Sequence, residues 1–210
     1  MDCCDSLCCE LQVGKPAPGF KGKAVVGDKI VDLSYDGGVV SLDGKAHTGK
    51  WVVFFFYPLD FTFVCPTEII AFDQAKEKFD KLNACVIGAS VDSQYAHLAW
   101  NQTPRNKGGL GGVRFPLFAD LDRAASDAYN VLLDGGIAAR GVFIIDDKGV
   151  LQSYTVNNLG VGRNVDEVLR TLEAYQYVAT HGEVCPANWS AGKDTMKPDP
   201  VGSQAYFKKQ

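Results

Sequence analysis

Cys65 has the sequence surroundings of a reactive thiol. It follows the apolar run Trp51–Tyr57 and a turn at Pro58, and it precedes Pro66 and a segment with helical periodicity. This pattern places Cys65 at or near a helix N-terminus, where unpaired backbone N–H groups and the helix dipole stabilise an anion. Because the thiolate is the nucleophilic form of cysteine, the sequence predicts a reactive thiol. A buried cysteine beside an ordinary helix cap is the alternative that one Cys-Pro pair leaves open.

Thr62 lies three residues before Cys65 on the same turn, where its hydroxyl can hydrogen-bond the sulfur or an oxygen of a ligand. The spaced set Pro58, Thr62 and Cys65, followed at once by Pro66-Thr67-Glu68, is more specific than a lone cysteine. It resembles the peroxidatic cysteine loop of the peroxiredoxins.

Two further segments extend the resemblance to the typical 2-Cys peroxiredoxins. The stretch GGIAARGVFIID places Arg140 at the position of that family's active-site arginine. The stretch HGEVCPANW places Cys185 at the position of the resolving cysteine. The match covers nearly everything from Val13 to Phe207.

The resemblance implies a thiol peroxidase that reduces hydrogen peroxide and small organic hydroperoxides. Cys65 would attack the terminal peroxide oxygen and become a sulfenic acid. Cys185 of a second subunit would then form a disulfide with it, which a thioredoxin-like reductant reopens. The resemblance also implies a homodimer that associates further, into a ring of five dimers (a decamer) in relatives, and it implies no metal, flavin or haem cofactor.

Glu68 and Arg163 occupy positions that brace the active-site arginine in the resembled family. A guanidinium near the thiolate would hold it and could bind a peroxide oxygen. On position alone, Arg140 is a solvated residue at a strand edge, and the other two are exposed ion-pair groups. The sequence has Asn158 and Gly160 where the family pattern has an aspartate and a proline.

Two more motifs, a glycine-leucine segment and a Tyr-Phe pair near the C-terminus, concern overoxidation. In peroxiredoxins that carry them, the C-terminal tail packs over the active site and must unfold before the two sulfurs meet. Slow unfolding prolongs the sulfenate, so a second peroxide can oxidise it to a sulfinic acid. The alternative is a pair of incidental aromatics in a frayed tail. The residues are Gly108, Gly109, Leu110 and Gly111, and then Tyr206 and Phe207.

Two other functions compete with this interpretation. A thioredoxin-type disulfide reductase carries a Cys-x-x-Cys pair at a helix start, but position 68 is Glu68 rather than a second cysteine. A holdase chaperone is the non-enzymatic alternative, because oxidised high-order assemblies of the resembled family have that activity.

The composition of the 210 residues is that of an ordinary globular protein, with 46% hydrophobic residues and a net charge of −4. This charge excludes a basic nucleic-acid footprint. The longest apolar run is far shorter than the ~20 residues that span a bilayer, and the N-terminus lacks a signal-peptide pattern. We therefore expect a cytoplasmic protein.

Seven cysteines in a spacing unlike a disulfide framework are more typical of thiols in a reducing compartment. Cys85 lies in an apolar strand pattern and is expected to be inert. The four N-terminal ones could belong to a mobile tail, be palmitoylated, bind a metal or do redox work; they are Cys3, Cys4, Cys8 and Cys9. Membrane attachment would need several of them acylated. The three histidines have no metal-site spacing and receive no role; they are His47, His97 and His181.

Hydrophobic periodicity and turn signals predict a thioredoxin-like α/β fold with a mixed central sheet, flanking helices and a C-terminal arm. A cysteine-rich tail would span residues 1–12, the peroxidase domain residues 13–181, and an arm with the resolving cysteine residues 182–210. The predicted elements are a hairpin at Phe20–Leu33, strands at Trp51–Tyr57 and Ala84–Val91, helices at Pro66–Leu82, Ser93–Thr103 and Asn164–Thr180, and a hairpin of Gly141–Ile145 with Val150–Thr155.

Overall fold

The computed structural model describes residues 11–209, which form one mixed sheet of nine strands with helices on both faces. The strands are β1 (Phe20–Val26), β2 (Lys29–Asp36), β3 (Val39–Leu42), β4 (Lys45–His47), β5 (Trp51–Phe56), β6 (Ala84–Ser90), β7 (Leu117–Ala119), β8 (Arg140–Ile145) and β9 (Leu151–Asn157). The helices are α1 (Cys65–Gln74), α2 (Lys76–Lys81), α3 (Gln94–Gln102), α4 (Ala124–Ala128), α5 (Val165–His181) and α6 (Gln204–Phe207).

The sheet order is β4-β3-β2-β1-β7-β6-β5-β8-β9. Strand β5 pairs in parallel with β6 and antiparallel with β8, with Phe55 opposite Val142. The start of β8 therefore lies beside the carboxyl end of β5, from which the chain runs to Cys65. The mixed sheet with flanking helices confirms the predicted fold class.

Strand β5 is buried on both faces, and this explains why all six of its residues are apolar. On one face Phe55 stacks on Phe72 of α1, with ring centroids 4.3 Å apart. On the other face Phe54 meets Tyr129 edge-on at 5.1 Å. The two aromatic clusters fix β5 between the helical layers, and thereby fix where its carboxyl end delivers the next loop.

The helix predicted over Pro66–Leu82 is two helices, and that prediction is wrong in this respect. The chain bends at Ala75, where ψ is 1°, so that α1 ends and α2 begins. Ile69, Phe72 and Phe79 stay buried through the bend. Because the apolar pattern continues across the break, periodicity could not reveal it.

The structure confirms the hairpin predicted at Phe20–Leu33, which turns at Gly27-Asp28. It also confirms the strands predicted at Trp51–Tyr57 and Ala84–Val91, which pair in parallel, and the helix predicted at Asn164–Thr180. The sequence patterns do not indicate β3, β4, β7 or α4, which are short. No helix in residues 11–209 is long and apolar enough to cross a membrane.

The segment after α5 packs partly against that helix. Val184 and Met196 form an isolated antiparallel bridge, and Trp189 is buried. Arg170 of α5 donates a hydrogen bond of 2.8 Å to the carbonyl oxygen of Trp189. The part of the chain that carries Cys185 is therefore held on α5, whereas the end of the tail, around α6, is largely exposed.

Candidate active site

Cys65 is the first residue of α1 and is fully buried. Val64 precedes the helix without a side-chain cap, and Pro66 occupies its first turn, where a missing N–H costs no hydrogen bond. The sulfur therefore lies at the positive end of the α1 dipole, as the sequence predicts.

Arg140, the first residue of β8, reaches the sulfur from the neighbouring strand. Its Nη1 lies 3.4 Å from Cys65 Sγ and 2.5 Å from Glu68 Oε2. Its Nε donates a hydrogen bond of 2.8 Å to the carbonyl oxygen of Leu159. The side chain is only 4% exposed, so Arg140 is not the solvated strand-edge arginine that position alone suggested.

Glu68 joins the two arginines through its two carboxylate oxygens. One turn after Cys65, its Oε1 accepts hydrogen bonds from Arg163 N at 2.8 Å and Arg163 Nε at 2.7 Å. Arg163 Nη1 also donates to the carbonyl oxygen of Phe56 at 2.7 Å. Arg163 and Glu68 are both buried, which excludes the exposed ion pair that their sequence positions alone suggested.

The charges of this cluster favour the thiolate. Two guanidinium groups and one carboxylate leave one net positive charge in the buried space beside the Cys65 sulfur, and such a charge favours an anion there. Burial lowers the pKa of Arg163, whereas the charge of Glu68 raises it. Arg163 Nη2 is buried without a hydrogen-bond partner among the described residues. The site can therefore stabilise a nucleophilic sulfur and present N–H donors beside it.

The departures Asn158 and Gly160 leave this arrangement in place. The contact to Arg140 comes from the main-chain carbonyl of Leu159, and Asn158 Oδ1 accepts a hydrogen bond of 2.7 Å from Leu159 N. The contacts to Glu68 come from Arg140 and Arg163, not from residues 158 or 160. A main-chain acceptor does not require a particular side chain, so the bracing contacts form with this sequence.

Thr62 and Pro58 belong to the loop between β5 and α1. The Thr62 hydroxyl donates to the carbonyl oxygen of Leu59 at 2.9 Å, so its hydrogen is directed to the main chain rather than to the sulfur. The hydroxyl oxygen keeps lone pairs that can accept a hydrogen bond from a ligand. Pro58 is buried and is the second residue after β5, near the start of the loop.

Cys185 lies in the segment packed on α5. Its Sγ is 3.7 Å from the carbonyl oxygen of Ala174, and the thiol borders a groove of about 380 Å³. Burial raises the pKa of Cys185, while the nearby Arg170 lowers it. Cys65, Cys85 and Cys185 are all free thiols. Burial raises the pKa of Cys85 to about 11, which keeps it in the unreactive thiol form at neutral pH.

The two predicted overoxidation motifs lie in different environments. Leu110 is fully buried, and Gly109 packs so closely that an added Cβ would lie 2.0 Å from the carbonyl oxygen of Thr103. The rings of Tyr206 and Phe207 meet edge-on at 5.8 Å, and Phe207 is 60% exposed. Gly109 and Leu110 are thus part of the folded core, although Gly108 and Gly111 are exposed, whereas the aromatic pair lies on the surface of the single chain.

Sequence reasoning missed Asp60 and His97. The histidine was given no role, yet it is fully buried and its Nδ1 lies 2.7 Å from Asp60 Oδ2. The two residues are 37 positions apart, and no motif or periodicity connects them.

The N-terminal cysteines at positions 3, 4, 8 and 9 lie outside the described residues. Within residues 11–209, no group of three or more His, Cys, Asp or Glu side chains is arranged to hold a metal ion.

Comparison with known proteins agrees with the geometry. The AhpC/TSA family model matches residues 13–154, and the C-terminal domain of 1-Cys peroxiredoxin matches residues 174–209. Peroxiredoxin-2 of Bos taurus is 54% identical over 96% of this chain and 97% of its own length. Peroxiredoxin-2 of Macaca fascicularis is 56% identical over 94% of this chain and 96% of its own length.

A solved structure extends the agreement to the fold. The reduced 2-Cys peroxiredoxin of Plasmodium vivax superposes with a TM-score of 0.87 at 45% identity, covering 93% of this chain and 98% of that one. These matches support thiol peroxidase function and do not favour the holdase alternative. The chain belongs to the AhpC/TSA family, the peroxiredoxins, and is a thiol peroxidase.

Proposed function

We propose that Cys65 is the peroxidatic cysteine of this peroxidase. The observation that carries the proposal is the distance of 3.4 Å between Arg140 Nη1 and Cys65 Sγ inside a buried cluster with one uncompensated positive charge. The thiolate attacks the terminal oxygen of a peroxide and forms a Cys65 sulfenic acid. The O–O bond breaks, and the leaving oxygen takes a proton to become water or an alcohol.

Arg140 and Thr62 hold the peroxide in this mechanism. The guanidinium N–H beside the sulfur stabilises the thiolate and the negative charge that develops on the leaving oxygen. The Thr62 oxygen accepts a hydrogen bond from the peroxide O–H, because its own hydrogen is directed to Leu59. Pro58 sets the start of the loop, while Glu68 and Arg163 are positioning residues that fix Arg140. We propose hydrogen peroxide and small organic hydroperoxides as the substrates, as the family resemblance implies.

Cys185 of a second copy resolves the sulfenic acid in this scheme. Its thiol attacks the Cys65 sulfur, water leaves, and an intersubunit disulfide forms, which a thioredoxin-like dithiol reduces by exchange. Cys65 is completely enclosed by its own chain, so its loop must open before the two sulfurs can bond. We propose a homodimer in which each arm serves the partner's site, with dimers joined into a ring.

The remaining assignments follow from the sequence. The peroxidase domain would span residues 13–181, and the arm residues 182–210. We expect a cytoplasmic protein without nucleic-acid partners, and membrane contact only if the N-terminal cysteines are acylated. The glycine-leucine segment at 108–111 and the pair Tyr206 and Phe207 would slow loop opening, and so make the enzyme sensitive to overoxidation.

The test combines two cysteine variants with one control. Peroxide consumption with thioredoxin and its reductase should fall below about one hundredth of wild type in Cys65→Ser, a loss of more than about 3 kcal/mol. Cys185→Ser should still form the sulfenic acid, detected by mass after dimedone labelling, but give no disulfide-linked dimer on a non-reducing gel. Cys85→Ser should behave as wild type. A Cys65→Ser protein that keeps its activity would remove Cys65 from this role.

A further inference from the structure

A buried pair of titratable side chains lies beneath the loop that leads to Cys65. Asp60 Oδ1 accepts a hydrogen bond of 2.9 Å from the Tyr57 hydroxyl, and Asp60 Oδ2 lies 2.7 Å from His97 Nδ1. The side chains of Asp60 and His97 are 2% and 0% exposed. Asp60 comes from the loop and His97 from α3, so this Asp60–His97 pair joins the loop to the body of the domain.

The geometry of the pair requires a proton. His97 Nε2 lies 3.1 Å from the carbonyl oxygen of Phe118, which can only accept, while Nδ1 faces the Asp60 carboxylate. A neutral imidazole carries one N–H, so it cannot donate to both oxygens. Both contacts are hydrogen bonds only if the pair holds one proton beyond a neutral imidazole and an ionised carboxylate. Without it, a ring lone pair would face either the Asp60 carboxylate or the Phe118 carbonyl oxygen, depending on which nitrogen carries the N–H.

The groups around the pair favour keeping that proton. Tyr57 reaches it from the end of β5, and burial raises the pKa of this phenol, so it remains a neutral donor. Asp92 follows β6 and accepts hydrogen bonds from Asp60 N at 2.9 Å and Ser90 Oγ at 2.7 Å. Strand β7 contributes the Phe118 carbonyl. Burial raises the pKa of Asp60, and the charge of Asp92 raises it further, although the histidine partner lowers it.

The pair is continuous with the catalytic loop. Leu59, next to Asp60, supplies the carbonyl that accepts the hydrogen bond of Thr62. Phe61, on the other side, has a φ of 54° and a ring 5.8 Å from that of Trp100. Helix α3 therefore holds two successive loop residues, through His97 and through Trp100. The closed position of the loop depends on these contacts.

We propose that the Asp60–His97 pair is a proton-dependent anchor of the Cys65 loop, and that opening of the loop releases one proton. The inference deepens the proposed disulfide step, which requires the enclosed sulfur to become accessible. In the open loop the two groups are separate and hydrated, and above about pH 6.5 a hydrated aspartate and imidazole hold no shared proton.

The sign of the pH effect follows from this difference. The closed loop binds the proton more tightly than the open loop does, so closure is fully favoured below about pH 6.5. As pH rises, closure weakens by up to about tenfold per pH unit until the closed pair also loses its proton. Alkaline conditions should therefore open the loop, speed disulfide formation and shorten the life of the sulfenic acid.

The Asp60→Asn variant removes the need for the extra proton but can keep the hydrogen bonds. An amide oxygen can accept from Tyr57, its N–H can donate to an unprotonated His97 Nδ1, and Nε2–H can donate to the Phe118 carbonyl. All partners are satisfied without an extra proton, so the variant should fold and keep the loop closed at every pH. Asp28→Asn, the same change at an exposed turn residue, is the matched control.

The experiment measures hydrogen exchange of the peptide spanning residues 58–65 in full-length protein between pH 6 and pH 8.5. A Cys65→Ser background removes thiol titration and needs no peroxide chemistry, and rates are divided by the intrinsic exchange rate at each pH. We expect protection to fall with pH in the parent and in Asp28→Asn, and to stay level in Asp60→Asn. Three results would overturn the proposal of a proton-dependent anchor. They are a level profile in the parent, an unchanged slope in Asp60→Asn, and failure of Asp60→Asn to fold.

A kinetic readout links the anchor to the enzyme. In protein with both thiols, the step from sulfenic acid to disulfide at pH 8 should be several-fold slower in Asp60→Asn than in wild type, because the amide keeps the loop closed. Equal rates would show that the pair does not control opening. The two proposals fail in different ways. Absence of peroxide consumption would overturn the proposed function, whereas the pH dependence of hydrogen exchange tests only the proposed Asp60–His97 anchor.

Discussion

Trp100 Nε1 donates a hydrogen bond of 2.8 Å to the carbonyl oxygen of Gly108. The same indole ring lies 5.8 Å from the ring of Phe61, in the loop before Cys65. One buried side chain of α3 therefore contacts both the Cys65 loop and the glycine-leucine segment at 108–111. Two motifs that lie about forty residues apart in sequence thus share a structural support, and a change in one can move the other.

Gly109→Ala tests this connection. The added methyl would lie 2.0 Å from the carbonyl oxygen of Thr103, which is main chain and cannot rotate away. We expect the segment to shift, with a loss of about 1–3 kcal/mol in the free energy of unfolding, and the Cys65 loop to open more readily. Urea denaturation and the rate of disulfide formation measure the two effects. Gly135→Ala is the control, since open space surrounds that position; equal stability of the two variants would contradict the prediction.

Arg140→Met should slow the reaction with peroxide while leaving the protein folded. It removes the charged donor 3.4 Å from Cys65 Sγ, and a hydrogen bond to a charged group contributes about 1.5–3 kcal/mol. The rate of sulfenic acid formation in stopped flow should therefore fall by about ten- to one-hundred-fold. Arg140→Lys restores the charge without the forked donors and should recover only part of the rate. Wild-type rates in the Met variant would argue against direct participation of Arg140.

Glu68→Gln should destabilise the fold as well as the site. Both carboxylate oxygens accept from arginine donors, so an amide would direct an N–H group at a guanidinium and leave two buried positive charges facing each other. Removing one member of a buried ion pair costs about 3–5 kcal/mol. Glu77→Gln breaks a comparable pair with Arg114 at the surface, where Glu77 is 62% exposed, and should leave stability unchanged. Similar urea midpoints for the two variants would refute the buried role of Glu68.

The Cys65 end of the candidate site was predictable because it is local. Pro58, Thr62, Cys65 and Glu68 lie within eleven consecutive residues, and a strand, a turn and a helix start can be recognised from such a segment. Strand β5 was equally visible, since a strand buried on both faces is continuously apolar.

The parts that escaped the sequence depend on long-range packing. His97 meets Asp60 only because α3 crosses beside the β5 loop, and neither side chain has a local pattern that indicates a partner. Strand β7 has three residues, too few to show an alternation. The bend at Ala75 lies inside an uninterrupted apolar pattern, so it is set by how α1 and α2 pack rather than by a helix-breaking residue.

Alkylation of Cys185 should be slow at neutral pH and become faster as pH rises. Burial raises the pKa of Cys185, so the thiolate fraction is small at pH 7 and grows through the alkaline range. Arg170 lowers that pKa, so Arg170→Met should reduce the alkylation rate at a given pH. Iodoacetamide labelling of the Cys65→Ser protein, followed by mass spectrometry of the Cys185 peptide, measures both. A pH-independent rate would show that the thiol is already ionised.

Removal of the C-terminal residues should protect the enzyme from overoxidation. Tyr206 and Phe207 lie on α6 with Phe207 largely exposed, as expected of side chains that pack on another subunit rather than on their own. Without residues 205–210 the loop should open sooner, so the sulfenic acid forms a disulfide before a second peroxide arrives. We expect a higher peroxide dose to be needed for half-conversion to sulfinic acid by intact mass. Deletion of residues 208–210 alone keeps both rings and should leave that dose at the wild-type value. If the longer deletion also leaves the dose unchanged, the aromatic pair does not restrain the loop.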